Sequence, residues 1–245
     1  TLMRHGFPDW LLLKAGTTFN EGVGQWKTSG RSLSEPQVIS VYDVGARPIL
    51  KCNGVTGFTK SGGGGSPASI SYVFLIGLDF YNNSRDPSSP DFNAAHGGAG
   101  ISWLGDGGDF VVEDCIFRFF TNNLNIERFT GTLLTNVIIR RNIILDAYNI
   151  DPSHSQGVYL SQVDGVLIEE NTFDHNGWHA TRAQAQRTIF NHNMYVQDNT
   201  GQVVVRGGAM AASAWTQSPC RGSRRSSSAM SGPASTRVIA IGSVA

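Results

Sequence analysis

The sequence is short of charge and carries no surplus of either sign. Lys and Arg number 19, Asp and Glu 19, and charged residues make up 16% of the 245. That balance excludes the broad basic field of a dedicated nucleic-acid binder. Long apolar runs are also missing: no stretch approaches the ~20 residues of a membrane-spanning helix. Neither nucleic acid nor membrane is therefore expected as a partner. Cysteine is scarce, with Cys52, Cys115 and Cys220 far apart and no CxxC spacing, which argues against zinc or dithiol chemistry. Cys115, inside the apolar run 110–117, reads as a buried free thiol. Helical 3.6-residue periodicity is absent between the apolar runs, which argues against bundles and ordinary βαβ sheets. No Walker motif, dinucleotide fingerprint or G-x-S-x-G elbow occurs. The chain opens at Thr1 with neither Met nor an apolar leader, and the start reads as truncated.

What is abundant is Gly, 29 of 245 residues, well above the usual ~7%. Short β-rich runs recur between the glycines. Residues 100–103 pair with 110–115, 125–127 with 137–142, 157–160 with 166–171, and 193–196 with 203–207. Aligning Cys115, Asn142, Asn171 and Gly208 gives steps of 27, 29 and 37 residues, within the roughly 20–45 of solenoid repeats. The longest step holds an insertion at 177–190. An Asn at a tight turn tolerates the left-handed conformation and can bond its equivalent one coil along; simple turn preference is the plainer explanation of Asn142 and Asn171. The pattern predicts an all-β chain forming a single right-handed parallel β-helix.

Residues 1–69 read as a β-rich start, with strands at 10–14 and 37–41, and 70–208 as regular coils. Residues 61–66 are a Gly-rich loop, 70–80 a strand and 86–100 a long polar loop. The tail 209–245 is Ala-, Ser- and Arg-rich, with no acidic residue after Asp198. A basic tail and a disordered one are both readings of it; a reading-frame shift near Gly208 fits better. The codons of residues 214–217, read one base later, force a Gly and permit His-Gly-Leu. Resequencing the gene rejects this if the frame is intact and the shifted reading holds no coil pattern.

Several segments carry a resemblance: Gly45-Ala46-Arg47-Pro48, Asn122-Asn123-Leu124-Asn125-Ile126, His154-Ser155-Gln156-Gly157-Val158-Tyr159, Asp174-His175-Asn176-Gly177-Trp178 and Ile189-Phe190-Asn191-His192-Asn193-Met194-Tyr195-Val196. From about Trp10 to Gly208 the chain resembles bacterial right-handed parallel β-helix repeat proteins of the pectin-lyase-like superfamily. The resemblance implies a secreted or cell-surface protein with a polysaccharide partner; a monomer is expected. It does not fix an activity, since fold and function separate readily.

Strand alternation supplies the candidate site. If Val158, Leu160, Met194 and Val196 point inward, Tyr159 and Tyr195 point outward, and the same reading puts Glu127 in one column with them. Gln156, Asn191, His192 and Asn193 flank these strands, with Trp178 and Arg187 on the insertion. Aromatic faces pack on sugar rings, while amides and imidazoles satisfy hydroxyls. For β-elimination on a uronate polymer, His192, His154 or Tyr195 suits the base or acid. Arg187, or a Ca²⁺ held by Asp174 or Glu127, suits neutralisation of the sugar carboxylate. Each His taken singly is more often a hydrogen-bonded turn residue. A lyase cleaving a uronate-containing polysaccharide is the favoured reading; ranked below it are a glycoside hydrolase, for which Glu127 and Asp174 are the candidate carboxylates, and a non-catalytic glycan-binding or surface scaffold.

Overall fold

The structure, a computed structural model, describes residues 3–60, 69–128, 133–151, 153–182, 184–197 and 200–211, with the strand Ile239–Ile241. The Gly-rich loop at 61–66, Cys220 and the tail from 212 onward, apart from that strand, lie outside the described residues.

Each coil contributes one short strand to each of three sheets. The fourth is typical, with Asp106–Glu113, Ile116–Arg118 and Asn122–Glu127. Each strand pairs in parallel with its equivalents one coil away. The first sheet runs from Trp10–Lys14 to Val203–Arg206, the second from Thr18–Phe19 to Ala209–Met210, and the third from Gly24–Gln25 to Asn191–Gln197. Ile239–Ile241 adds to the third sheet antiparallel to Asn191–Gln197. This is the right-handed parallel β-helix that the repeats predict, parallel crossovers being right-handed almost without exception. The coils already run through Trp10–Lys14 and Gln37–Tyr42, which share a sheet with the later repeats. The strand expected at 70–80 is two, Ser69–Ile76 and Asp79–Tyr81, split by a corner at Gly77-Leu78.

The interior is a stack of aligned apolar side chains. Phe80 lies on Phe117 with ring centroids 4.9 Å apart, and Trp103 meets Phe110 at 4.5 Å. Cys52 and Cys115 are buried free thiols, each pushed up to about 12 chiefly by burial, so both pack as small apolar groups. Between the first and second sheets the chain turns on two residues, of which the first is left-handed: Gly77, Asp114, Arg141, Glu170 and Gly207. The second is buried: Leu78, Cys115, Asn142 and Asn171. The left-handed residue is thus the one before each Asn, not the Asn itself.

Freed from that role, the asparagines tie coil to coil. Asn142 Oδ1 accepts from the Cys115 N–H at 2.9 Å, and Asn171 Oδ1 accepts from the Asn142 N–H at 2.9 Å. Their amides donate to the Val112 and Ile139 carbonyls. A second ladder runs where the second sheet passes to the third. Asn123 donates to Asn176 and Asn176 to Asn193, each at 2.9 Å. Gly157 sits between these rungs, where a Cβ would come 2.4 Å from the Asn193 carbonyl and 3.0 Å from the Asn176 amide.

Asn171→Ala strips the buried Asn142 N–H of its side-chain acceptor and removes one of the two bonds of the Asn142 amide. At roughly 1–3 kcal/mol for a buried orphan, the expected loss is about 2 kcal/mol. Urea unfolding checks it: the midpoint falls at unchanged m-value. Thr172→Ala, at the exposed position beside it, serves as the neutral control.

Candidate functional site

The outer face of the third sheet carries the predicted aromatic column. Tyr159 pairs in register with Tyr195, and the residue aligned with them one coil earlier is Asn125. Glu127 is not in that column. It aligns with Ser161 and Gln197, two residues further along the strands, and its Oε1 accepts from the Asn125 amide at 3.1 Å. Val158, Leu160, Met194 and Val196 point into the core as the alternation requires. The tyrosine rings stand 5.9 Å apart, and the Tyr159 hydroxyl donates to Gln197 Oε1 at 3.0 Å. His192 stacks on Tyr195 at 5.0 Å and an interplanar angle of 11°. His154 packs on the exposed ring of Phe190 at 5.0 Å. Together these rings form an aromatic platform. Burial lowers the pKa of His192, and neighbouring His154 lowers it further, which favours the neutral imidazole.

Four residues expected on this surface are buried instead: His192, under the platform, and three amides. Asn193 is fully buried, its amide taken up by Asn176 and the Ala211 carbonyl. Gln156 and Asn191 are buried too, donating to the carbonyls of Phe190 and Gln186. Those bonds fix both amide orientations and leave Gln156 Oε1 and Asn191 Oδ1 buried without partners among the described residues. Strand alternation fails here because the chain is still turning out of the preceding corner.

A second constellation lies at the corner between the second and third sheets. The long connections 82–98, 146–154 and 175–190 all fall at this corner and interlock. Buried Arg85 donates to the Tyr148 carbonyl, and the Tyr148 hydroxyl donates back to the Arg85 carbonyl. Arg182 lies 4.4 Å over the Phe92 ring, and His179 packs on Tyr148 at 5.2 Å. Beneath this layer the second sheet presents Tyr81, Arg118, Leu145 and Asp174 in register. Arg118 stacks 4.0 Å over Tyr81 and holds both oxygens of Asp79, while the Tyr81 hydroxyl donates to Asp86 at 2.6 Å. Asp146 follows Leu145, and its N–H donates to the Asp174 carbonyl.

The electrostatics of this corner separate its carboxyls. Burial raises the Asp146 carboxyl to about 6, with Asp174 and Asp86 adding repulsion against the opposing pull of His175 and Arg118. Asp86 is held below the usual carboxylate range, its burial outweighed by hydrogen bonds from Ser88 and Tyr81. Asp174 Oδ1 lies 2.7 Å from His175 Nδ1, His175 packs on Trp178 at 5.0 Å, and Arg187 lies 3.9 Å over that indole. One carboxyl that keeps its proton into the weakly acid range, near Asp86 held below the usual carboxylate range, is the arrangement that general acid–base chemistry needs.

The predicted residues therefore divide into two groups. Tyr159, Tyr195, His192 and His154 share the platform; Asp174, Trp178 and Arg187 share the corner. Arg187 is engaged with Trp178 rather than with the platform histidines. Glu127 and Asp174 sit on different sheets and do not converge on a cation. Among the described residues no group of three or more His, Cys, Asp or Glu is placed to hold a metal ion. Asp146, Asp86, Arg118 and Tyr81 escape the sequence reading. A signal for Asp146 exists: aligning Asn142 with Asn171 sets it opposite His175, and both are left-handed.

No family model matches the chain, and no curated protein matches it. Among solved structures it is similar to a GH136 lacto-N-biosidase from Eubacterium ramulus, with a TM-score of 0.48 at 9% identity. The alignment covers 83% of this chain and 46% of that one, so the chain spans less than half its length.

The raised Asp146 carboxyl has a consequence for stability. Its folded pKa lies above the ordinary ~3.9, so ionisation costs the native state progressively as pH rises from about 4 through 6. The full two-unit cost of ~2.7 kcal/mol is reduced by partial exposure to about 1 kcal/mol. Asp146→Asn is expected to raise the melting temperature by roughly 2–4 °C at pH 8 and to leave it unchanged at pH 4. Scanning calorimetry at the two pH values checks this.

Proposed function

We propose that the protein is an extracellular polysaccharide-acting β-helix of the pectin-lyase-like kind, and that it hydrolyses a glycosidic bond at the corner between its second and third sheets. The observation that carries this reading is Asp146, protonated to about pH 6 beside Asp174. Asp146 acts as the general acid, giving its proton to the leaving glycosidic oxygen as the bond to the anomeric carbon breaks. Asp174, oriented by His175, supplies the second carboxylate, which either activates water or attacks the anomeric carbon. Trp178, with Arg187 and His175 packed on its ring, forms an aromatic wall beside the carboxyls. The Tyr159–Tyr195 platform extends the binding surface along the coils.

A second reading, β-elimination on a uronate polymer, is favoured by the neutral His192 stacked on Tyr195. It needs a cation beside the substrate carboxylate, and Arg187 is engaged at the corner instead.

The test is a panel of neutral, amino-sugar and uronate polysaccharides, followed both by reducing ends and by absorbance of unsaturated product. Hydrolysis predicts new reducing ends without that absorbance, lost on the alkaline side of pH 6. Asp146→Asn lowers kcat by about 10²–10⁴. Unsaturated product that survives Asp146→Asn and disappears in His192→Ala moves the assignment to elimination. No product of either kind leaves a glycan-binding scaffold, which glycan-array binding lost in Tyr195→Ala would identify.

A further inference from the structure

We infer that the outer face of the first sheet is a self-association surface, on which a second copy of this chain docks about a two-fold axis running parallel to the strands. The face is built in columns, because each coil repeats the register of the last. One column is apolar through successive coils: Val38, Phe74, Val111, Ile138, Leu167 and Val204; Val38 and Val111 are already covered within the chain, and Phe74, Ile138, Leu167 and Val204 are half-buried. Three apolar side chains left partly open in successive coils, Ile138, Leu167 and Val204, mark a surface that is covered in the working state. Over Ile138, Leu167 and Val204 the row floors a groove of about 460 Å³, walled at one end by Leu33 and at the other by Arg206. Leu33 is itself 59% exposed, an apolar knob standing beside an apolar groove.

The neighbouring column names the occupant. Two residues along each strand, on the same face, the register aligns Glu113, Arg140, Glu169 and Arg206. Within one chain these close as Glu113–Arg140 at 2.7 Å and Glu169–Arg206 at 2.6 Å. A row of alternating sign and even length is complementary to its own reverse. A two-fold axis parallel to the strands, between the coils of Arg140 and Glu169, keeps each column facing itself and reverses the coil order. Glu113 then faces Arg206 of the second copy, and Arg140 faces its Glu169. The same operation sets Leu33, beside the coil of Val111, against the Val204 end of the groove. Charge, apolar row and knob thus satisfy one isologous interface together. The face lies away from the corner and the platform, so the inference is independent of the proposed reaction.

Sedimentation equilibrium of the whole chain from about 1 to 100 µM tests it. The expected result is a reversible dimer, reduced at least tenfold in affinity by Leu167→Asp, whose unchanged far-UV circular dichroism shows the coils intact. Glu113→Arg sets like charges against Arg206 of the second copy at two symmetric places, and it too weakens the dimer at least tenfold. Adding Arg206→Glu to Glu113→Arg restores it. A monomer at 100 µM overturns the inference, as does a dimer indifferent to Leu167→Asp or a charge reversal that the double variant fails to rescue.

Discussion

Hydrogen bonding from coil to coil is the constraint on which the rest of this structure depends. A parallel β-helix satisfies its backbone along the strands but must turn three times in every coil, and each turn leaves buried polar groups that the next coil alone can reach. Asparagine answers this because one amide both donates and accepts. Asn142 and Asn171 stitch the corner between the first and second sheets, while Asn123, Asn176 and Asn193 stitch the next. Both ladders are buried, so each bond forms in a low-dielectric interior where an unmade one is expensive. Gly157 is required where the second ladder passes from Asn176 to Asn193, since any side chain there strikes the ladder itself.

Stitched corners leave the chain free to vary elsewhere, and it varies at one place. The first-to-second corner is kept at two residues through five successive coils, whereas the second-to-third corner takes the long connections at 82–98, 146–154 and 175–190. Those connections bury Arg85 against Tyr148 and cover the outward side chains of the second sheet. Covering a sheet face with loops removes water from it, and removal of water is what raises Asp146. The perturbed acid is therefore a product of where the insertions fall.

Much of this is legible in the sequence, and the limits of legibility have physical causes. Spacings of 27, 29 and 37 residues are readable because every coil must return to the same register, and the Asn142–Asn171 contact follows from it. The strands Ile116–Arg118, Ile143–Leu145 and Thr172–Asp174 are hidden by their brevity, three residues being too few to show alternation. Tyr159 and Tyr195 can be placed because they lie mid-strand. Asn193, Gln156 and Asn191 cannot, because strand ends turn and alternation lapses there. Asp146 shows its register in the sequence but not its chemistry: its proton affinity depends on burial beneath 82–98 and 175–190, segments remote in sequence whose packing no local pattern encodes.

The backbone at the corner points to the same place as the electrostatics. Where the chain leaves the second sheet, three successive coils hold a non-glycine residue in the left-handed region: Phe119 at φ 66°, Asp146 at 51° and His175 at 50°. The conformation costs roughly 1–2 kcal/mol for each ordinary residue, and a bulky Phe gains no local hydrogen bond in return. Glycine serves that need at many other turns of this protein, as at Gly77 and Gly207, yet it is absent from this column. What glycine lacks is a side chain, and the side chains here are a ring that packs on His179, a raised carboxyl and the imidazole beside Asp174. Strain of this kind persists where surrounding structure holds it and where the side chain it aims has work to do. Burial, with the charge state it sets, and backbone conformation converge on Asp146 and its neighbours.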